Sequence, residues 1–212
     1  MMDYSVIVLC AGKGTRSGLN YNKMLYSFKD KTVYEMTMEL FLNDNRCKQI
    51  IVVTKKDELN DLKKLIVSDK IEYIFGGKER QDSVYNGLQA VNQSHVLIHD
   101  GARPYLKIDN VNDLLLCLES NDACLLAVPV KDTIKICKDG NIIETLPRSM
   151  LMQAQTPQAF KTSLIKECYQ LGKDSGFLAT DDTSLVEKFK NIEIKTVMGS
   201  YDNIKITTPD DL

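Results

Sequence analysis

The sequence predicts an α/β domain with a doubly wound, mostly parallel sheet and one inserted β-hairpin arm. Short apolar runs of strand length alternate with segments of helical apolar spacing along most of the chain. Those runs are continuously apolar, as in strands buried on both faces by flanking helices. Around residues 131–148 the pattern switches to period two about an Asp-Gly pair, which marks a hairpin.

Residues 4–10 (YSVIVLC) form the first strand and run into Ala11-Gly12. Thr32 and Glu35 have capping-box spacing and open a helix through about Phe41. Residues 49–54 (QIIVVT) form the second strand, and Leu59, Leu62, Leu65 and Ile66 then recur at helical spacing. A third strand at 71–75 closes on Gly76-Gly77, and Asp82 or Ser83 caps a helix carrying Val84, Leu88 and Val91. Residues 96–98 form a fourth strand leading into D-G-A-R-P at 100–104; a helix follows around 114–118 and a fifth strand at 124–128. Residues 133–137 alternate, Asp139-Gly140 is a type I′ turn signal, and 142–146 return. Such a hairpin is marginal alone, so it is expected to pack on something, a second copy of the chain included. Helices at 163–171 and 183–189, a strand at 192–198 and a helix start at Thr208-Pro209 complete the chain. The expectation is a single domain over residues 1–212, with the arm at about 131–148.

The 212 residues are 43% hydrophobic and 26% charged, the make-up of an ordinary globular chain large enough to build its own core. With 27 Lys plus Arg against 29 Asp plus Glu the net charge is −2, which speaks against nucleic acid or a membrane surface as partner. No run approaches the ~18 apolar residues of a bilayer span. The N-terminus lacks a basic region and enters a core strand directly, which points away from a signal peptide. The six cysteines lack zinc-like spacing and read as free thiols of a reducing cytoplasm. His95 and His99, four apart on a strand, stand roughly 13 Å from each other and cannot share a metal.

Three loops fall at one edge of the sheet, where open α/β sheets bind ligands. The first, A-G-K-G-T-R at 11–16, misses the dinucleotide fingerprint because Ser17 stands at its last glycine, and misses the Walker pattern because Ile7 stands at its first. What remains is a turn with exposed N–H groups plus Arg16 and Lys23, either a triphosphate cradle or a tight turn with two surface cations. The second, G-G-K-E-R-Q-D-S at 76–83, allows close backbone approach and offers Ser83 to a base, or is a turn with an ordinary cap. In the third, Asp100 is a candidate Mg²⁺ ligand beside phosphates, or half of an ion pair with Arg103.

Taken in order, A-G-x-G-x-R, a lysine, G-G-x-E-R-x-x-S-V, D-G-A-R-P, V-P-V-x-D-T-x-K, R-x-x-x-x-x-A-x-T-P-Q-x-F and D-N-I-K-I-T-x-P resemble the 2-C-methyl-D-erythritol 4-phosphate cytidylyltransferase family over residues 6–212. The resemblance implies a Rossmann-like nucleotidyltransferase fold and a homodimer interlocked by the arm. It implies transfer of CMP from CTP to 2-C-methyl-D-erythritol 4-phosphate with Mg²⁺ as cofactor. It places Ala11, Gly12, Gly14 and Arg16 on CTP and its phosphates, Lys23 and Lys205 as cations at the reacting phosphate, and Gly77, Asp82 and Ser83 on cytosine. Asp100 becomes the carboxylate near metal and substrate, and Arg103, Thr133, Arg148, Thr156 and Thr180 the acceptor site, completed in part by the second subunit's arm. The chain departs from the family pattern at Cys10, Asn22 and Met24.

That reaction needs no general base, because a phosphate monoester with a second pKa of about 6 is already dianionic at neutral pH. The shortage of histidine is therefore compatible with catalysis by fixed cations. Three other readings compete: a cytidylyltransferase for ribitol 5-phosphate, a nucleotide-sugar glycosyltransferase using Asp181-Asp182 as a metal pair, and a non-catalytic nucleotide-binding module. For Asp181-Asp182, a helix cap with a first-turn acid is the simpler expectation.

Overall fold

The protein's structure, a computed structural model, describes residues 2–12, 18–19, 21–28 and 30–211. The chain opens with β1 (Tyr4–Leu9), a 3-10 turn at Lys23–Leu25, and a small ribbon of β2 (Ser27–Phe28) and β3 (Lys31–Thr32). Next come α1 (Val33–Asn43), β4 (Cys47–Thr54), α2 (Leu59–Leu65), β5 (Ile71–Phe75), α3 (Arg80–Ala90) and β6 (His95–Asp100). They are followed by α4 (Ile108–Leu118), β7 (Ala123–Pro129) and the arm, β8 (Lys135–Lys138) with β9 (Asn141–Thr145). The last third holds β10 (Met152–Lys161), α5 (Thr162–Ser175), α6 (Asp182–Phe189) and β11 (Lys195–Met198).

Seven strands form one sheet in the order β11-β7-β10-β6-β1-β4-β5. β1 is parallel to β4 and β6, β4 to β5, and β7 to β11, while β10 runs antiparallel to both its neighbours. The winding reverses between β1 and β6, since β1 leads outward to β4 and β5 on one side and the later strands build the other. That reversal is the crevice where such sheets take ligands. Register aligns the strand ends there, with Leu9 opposite both Val53 and Asp100.

Side chains along β1 alternate between two apolar cores. Tyr4, Val6 and Val8 pack with Phe41 of α1 and Leu114 of α4, whereas Ile7 packs with Leu88 of α3, Ile165 of α5 and Leu185 of α6. Each fully buried aliphatic side chain contributes about 1.5–3 kcal/mol, so the two layers hold the sheet edge rigid. The capping box opening α1 is present: Thr32 Oγ1 accepts from the Glu35 N–H at 3.2 Å, and Glu35 Oε2 accepts from the Thr32 N–H at 2.8 Å. The hairpin turns on Asp139 (φ 51°) and Gly140 (φ 79°), the two left-handed residues a type I′ turn demands.

Two expectations need correction and one an addition. α3 starts at Arg80 with Glu79 as its N-cap, so neither Asp82 nor Ser83 caps it; Asp82 sits in the first turn and accepts the Glu79 N–H at 3.1 Å. The last strand is shorter than expected, Lys195–Met198. β10 is the addition: it crosses the middle of the sheet, and Pro157, which has no N–H to give, lies at the register irregularity between Ala154 and Gln158.

Candidate active site

A cavity of about 1010 Å³ opens where β1, β4, β5 and β6 end. Ala11 and Gly12 follow β1 into it, Lys55 and Lys56 follow β4, residues 76–80 follow β5, and Asp100 and Ala102 close β6. Lys23 and Lys205 reach its wall from the early 3-10 turn and the C-terminal segment. Backbone hydrogen bonds seam the loops together, from Gly101 N–H to Leu9 C=O at 3.0 Å and from Gly76 N–H to Thr54 C=O at 3.0 Å. A Cβ at Gly101 would lie 2.8 Å from Leu9 O, and one at Gly76 2.7 Å from Ala11 Cβ, so both close approaches require glycine.

Asp100 is the electrostatic centre. Its Oδ2 lies 2.7 Å from Lys205 Nζ and 3.8 Å from Arg103 Nε, and its Oδ1 lies 3.6 Å from Arg80 Nε. Burial alone would raise this carboxyl, but Lys205 and Arg80, with Arg103 behind them, hold it well below the usual carboxylate range. Arg80 is forked onto Asp182 by two hydrogen bonds of 2.8 and 2.7 Å, and Asp182, with no solvent exposure, also accepts from Tyr169 Oη. The fork matches a carboxylate as no lysine could.

Behind Asp100 runs a directed hydrogen-bond chain. The Asp100 N–H donates to Thr156 Oγ1 at 3.0 Å, Thr156 Oγ1 lies 3.2 Å from His99 Nδ1, and His99 Nε2 lies 3.2 Å from Arg103 C=O. The Arg103 carbonyl can only accept, so the neutral imidazole carries its hydrogen on Nε2, and Nδ1 accepts from Thr156 Oγ1. Burial pushes the His99 imidazole down to about 4. Neither histidine lines the cavity.

Of the residues the sequence singles out, Ala11, Gly12, Lys23, Gly77, Ser83, Asp100 and Lys205 meet at the cavity. Gly14 and Arg16 lie outside the described residues. Ser83 Oγ is engaged inside the loop, accepting from Gly77 N–H and donating to Glu79 C=O, each at 3.1 Å. Asp82 is exposed and stands apart from the lining. Arg103 is just behind the rim, donating to Asn203 C=O at 2.6 Å, and Thr156 is buried in the relay described above. Thr133, Arg148 and Thr180 are exposed and are not brought to the cavity within one chain; Arg148 donates to Lys131 C=O at 2.7 Å. Asn22 hooks the first lysine's turn onto β1 through Cys10 C=O at 2.9 Å and caps the Met24 N–H at 3.1 Å, while Met24 fills the core. Asp181 is the N-cap of α6, accepting from Ser184 N–H at 2.9 Å, and Asp182 is taken by Arg80. Neither is presented as a metal pair, and the described residues contain no cluster of three or more metal-ligating side chains.

Arg80 is the charged side chain of the cavity wall, paired with Asp100 and Asp182, that residue-by-residue reading passed over. Its signal is a cation in the first turn of a helix, against the macrodipole, which calls for anions facing it. Lys55, Lys56 and Lys78 on the cavity wall carry no such signal.

Comparison with known proteins agrees with this geometry. The family model described as 2-C-methyl-D-erythritol 4-phosphate cytidylyltransferase matches residues 4–212. A protein of that name from Bacillus velezensis is 43% identical over 216 residues, covering 100% of this chain and 93% of the relative. Another from Clostridioides difficile is 40% identical, covering 99% and 90%. A crystal structure of 4-diphosphocytidyl-2C-methyl-D-erythritol synthase from Anaerococcus prevotii superposes with a TM-score of 0.87 at 32% identity, covering 99% of this chain and 94% of that one. The Francisella tularensis cytidylyltransferase gives 0.85 at 30%, covering 99% and 96%. Matching at both levels over nearly the whole chain, with the lysines, Asp100 and the glycine loops gathered at one sheet edge, the chain belongs to the 2-C-methyl-D-erythritol 4-phosphate cytidylyltransferase family.

Proposed function

We propose that this chain transfers CMP from CTP to 2-C-methyl-D-erythritol 4-phosphate, releasing pyrophosphate. The observation that carries the chemistry is the charge of the cavity wall, where six cations (Lys23, Lys55, Lys56, Lys78, Arg80 and Lys205) face two carboxylates, Glu79 and Asp100. The surplus suits a triphosphate, and the glycine-seamed loops leave backbone room for a base and ribose. The relatives bear the methylerythritol name, so ribitol 5-phosphate is not the favoured acceptor. The engaged Asp181 and Asp182 remove the basis of the glycosyltransferase reading.

The acceptor's phosphate oxygen attacks the α-phosphorus of CTP as the bond to the bridging oxygen of pyrophosphate breaks. Both reactants are anions, so the barrier is one of charge. Lys23 and Lys205 lower it by holding the phosphoryl oxygens as negative charge builds on them and on the leaving group. His99, neutral, buried and hydrogen-bonded through both nitrogens, takes no proton, and none needs to be taken. Mg²⁺ belongs to the same proposal. Asp100 is a single carboxylate whose Oδ1 lacks a hydrogen bond from Arg80 at 3.6 Å, which fits an ion carried by substrate phosphates and water with one protein ligand. Such an ion, when bound, neutralises triphosphate charge.

The exposed arm carries Ile134, Ile136, Ile142 and Ile143 in the open, an apolar surface that a second copy would cover. A homodimer is therefore part of the reading, as is a cytoplasmic setting that keeps thiols such as Cys10 and Cys124 reduced. The test is pyrophosphate release with CTP over a panel of polyol phosphates. Methylerythritol phosphate should support turnover and ribitol 5-phosphate little, and Lys23→Ala and Lys205→Ala should each lower kcat by about a hundredfold or more. Near-normal turnover in both lysine variants would overturn the electrostatic reading.

A further inference from the structure

The C-terminal segment 203–206, which belongs to neither helix nor strand, carries Lys205 and touches two further cations, Lys23 and Arg103. Its first residue accepts from Arg103 Nη1 through its backbone carbonyl at 2.6 Å. Its third is Lys205, paired with Asp100 at 2.7 Å. Its fourth, Ile206, receives Lys23 Nζ on its carbonyl at 2.5 Å and returns its own N–H to Ala102 C=O at 2.8 Å. Position in this stretch is set by two buried anchors, since Ile204 is exposed and Lys205 only partly covered. Ile206 is an apolar plug in the core shared by α1 and α4. The other anchor is Asn203.

We infer that Asn203 is a positioning residue for the two lysines, an assignment that rests on the reading of Lys23 and Lys205 as the phosphate-facing cations. Asn203 has no solvent exposure. Its Nδ2 donates to Thr156 C=O at 3.0 Å and to Gln155 Oε1 at 3.3 Å, and its backbone N–H to Ser200 C=O at 3.0 Å. It thereby bolts the segment to β10, beside the Thr156–His99 relay that sets Asp100. Its Oδ1 is buried without a hydrogen-bond partner, as is the neighbouring Arg103 Nε, which has only the longer ion pair with Asp100. An orphaned buried carbonyl is a cost to folding, which the two hydrogen bonds from Nδ2 offset. The amide's function is to fix where the Lys205 ammonium and the Ile206 carbonyl stand, and through them both cations.

The experiment is a double-mutant cycle on the full-length protein, with kcat, KM for CTP and melting temperature measured for each variant. Asn203→Leu should lower kcat by about ten- to a hundredfold, the scale of a misplaced catalytic group, with a smaller change in KM. In a Lys205→Ala background it should cost clearly less than in the native one, because the part of its effect that acts through Lys205 is already gone and only the part acting through Lys23 remains. Asn203→Ser, which keeps a donor in less volume, should retain more turnover than Asn203→Leu, and it serves where the leucine variant does not accumulate. Losses that multiply across the cycle, or an Asn203→Leu protein that melts lower yet turns over normally per folded molecule, would overturn the inference alone. Normal turnover of Lys205→Ala would instead remove its premise, the assignment of Lys205.

Discussion

Asp182 carries a carboxylate with no access to solvent, and such a group persists only in company. Its company is the Arg80 fork and the Tyr169 hydroxyl, so Asp182→Ala takes the shared acceptor from a part-buried guanidinium and a buried hydroxyl and should destabilise the fold by about 1.5–3 kcal/mol in urea unfolding. Tyr169→Phe should cost about 1–3 kcal/mol, since it removes one donor and leaves the ion pair intact. His99 makes a separate statement through pH. Its folded imidazole titrates near 4 against about 6.5 in the unfolded chain. Between those values the unfolded chain binds a proton that the folded one refuses, so stability falls as pH drops through the window and levels off below it. The contribution is about 3 kcal/mol in all. Unfolding free energies measured from pH 7 to 4 should therefore fall more steeply for the native protein than for His99→Gln. Parallel curves would mean that His99 is not held neutral by the fold. Taking the difference removes the contribution of His95, whose imidazole burial also lowers.

At the scale of elements, what could be read in advance depended on how local each cause was. β1, β4 and β6 announce themselves because strands covered on both faces need unbroken apolar runs. α1 and the hairpin announce themselves through Thr32 with Glu35 and Asp139 with Gly140, pairs whose geometry is settled within a few residues. β10 did not, because its polar side chains look like loop. Gln155 instead donates to Ser200 C=O at 2.8 Å, and Gln158 spans Asp181 at 2.7 Å and the Thr183 N–H at 2.9 Å. Those glutamines bolt later segments onto the sheet, a purpose that exists only once the segments have packed. The site divides the same way. The glycine loops and Asp100 were legible because loops after parallel strands share an edge by topology, with Lys23 read beside the first of them. Lys205, which arrives from the C-terminal segment, was legible only through the family resemblance. The tie from Arg80 to Asp182, 102 residues apart, was not, since it needs α6 to settle against α3 first. Thr156 adds something its motif did not show: its hydroxyl is buried behind Asp100 and accepts the Asp100 N–H.

At the scale of the whole molecule, the arm poses the outstanding problem. Ile142 and Ile143 are neighbours on β9, so they face opposite sides of the ribbon, and they are 65% and 61% exposed. A two-stranded ribbon is marginal alone, and one apolar on both sides gains stability when both sides are covered. Thr133 and Arg148 flank this ribbon, away from the cavity of their own chain. If a two-fold dimer forms through the arm, Arg148 of each subunit serves the acceptor site of the other. Subunit mixing separates that arrangement from one in which each chain is self-sufficient. Arg148→Ala and Lys23→Ala homodimers should each be nearly inactive. After mixing and exchange, half the dimers should be mixed, and each mixed dimer should contain one site with both an intact Lys23 and a partner arm bearing Arg148. Turnover should therefore recover to about a quarter of the native value. Were Arg148 to act within its own chain, every site in the mixture would lack one residue or the other, and mixing would recover nothing.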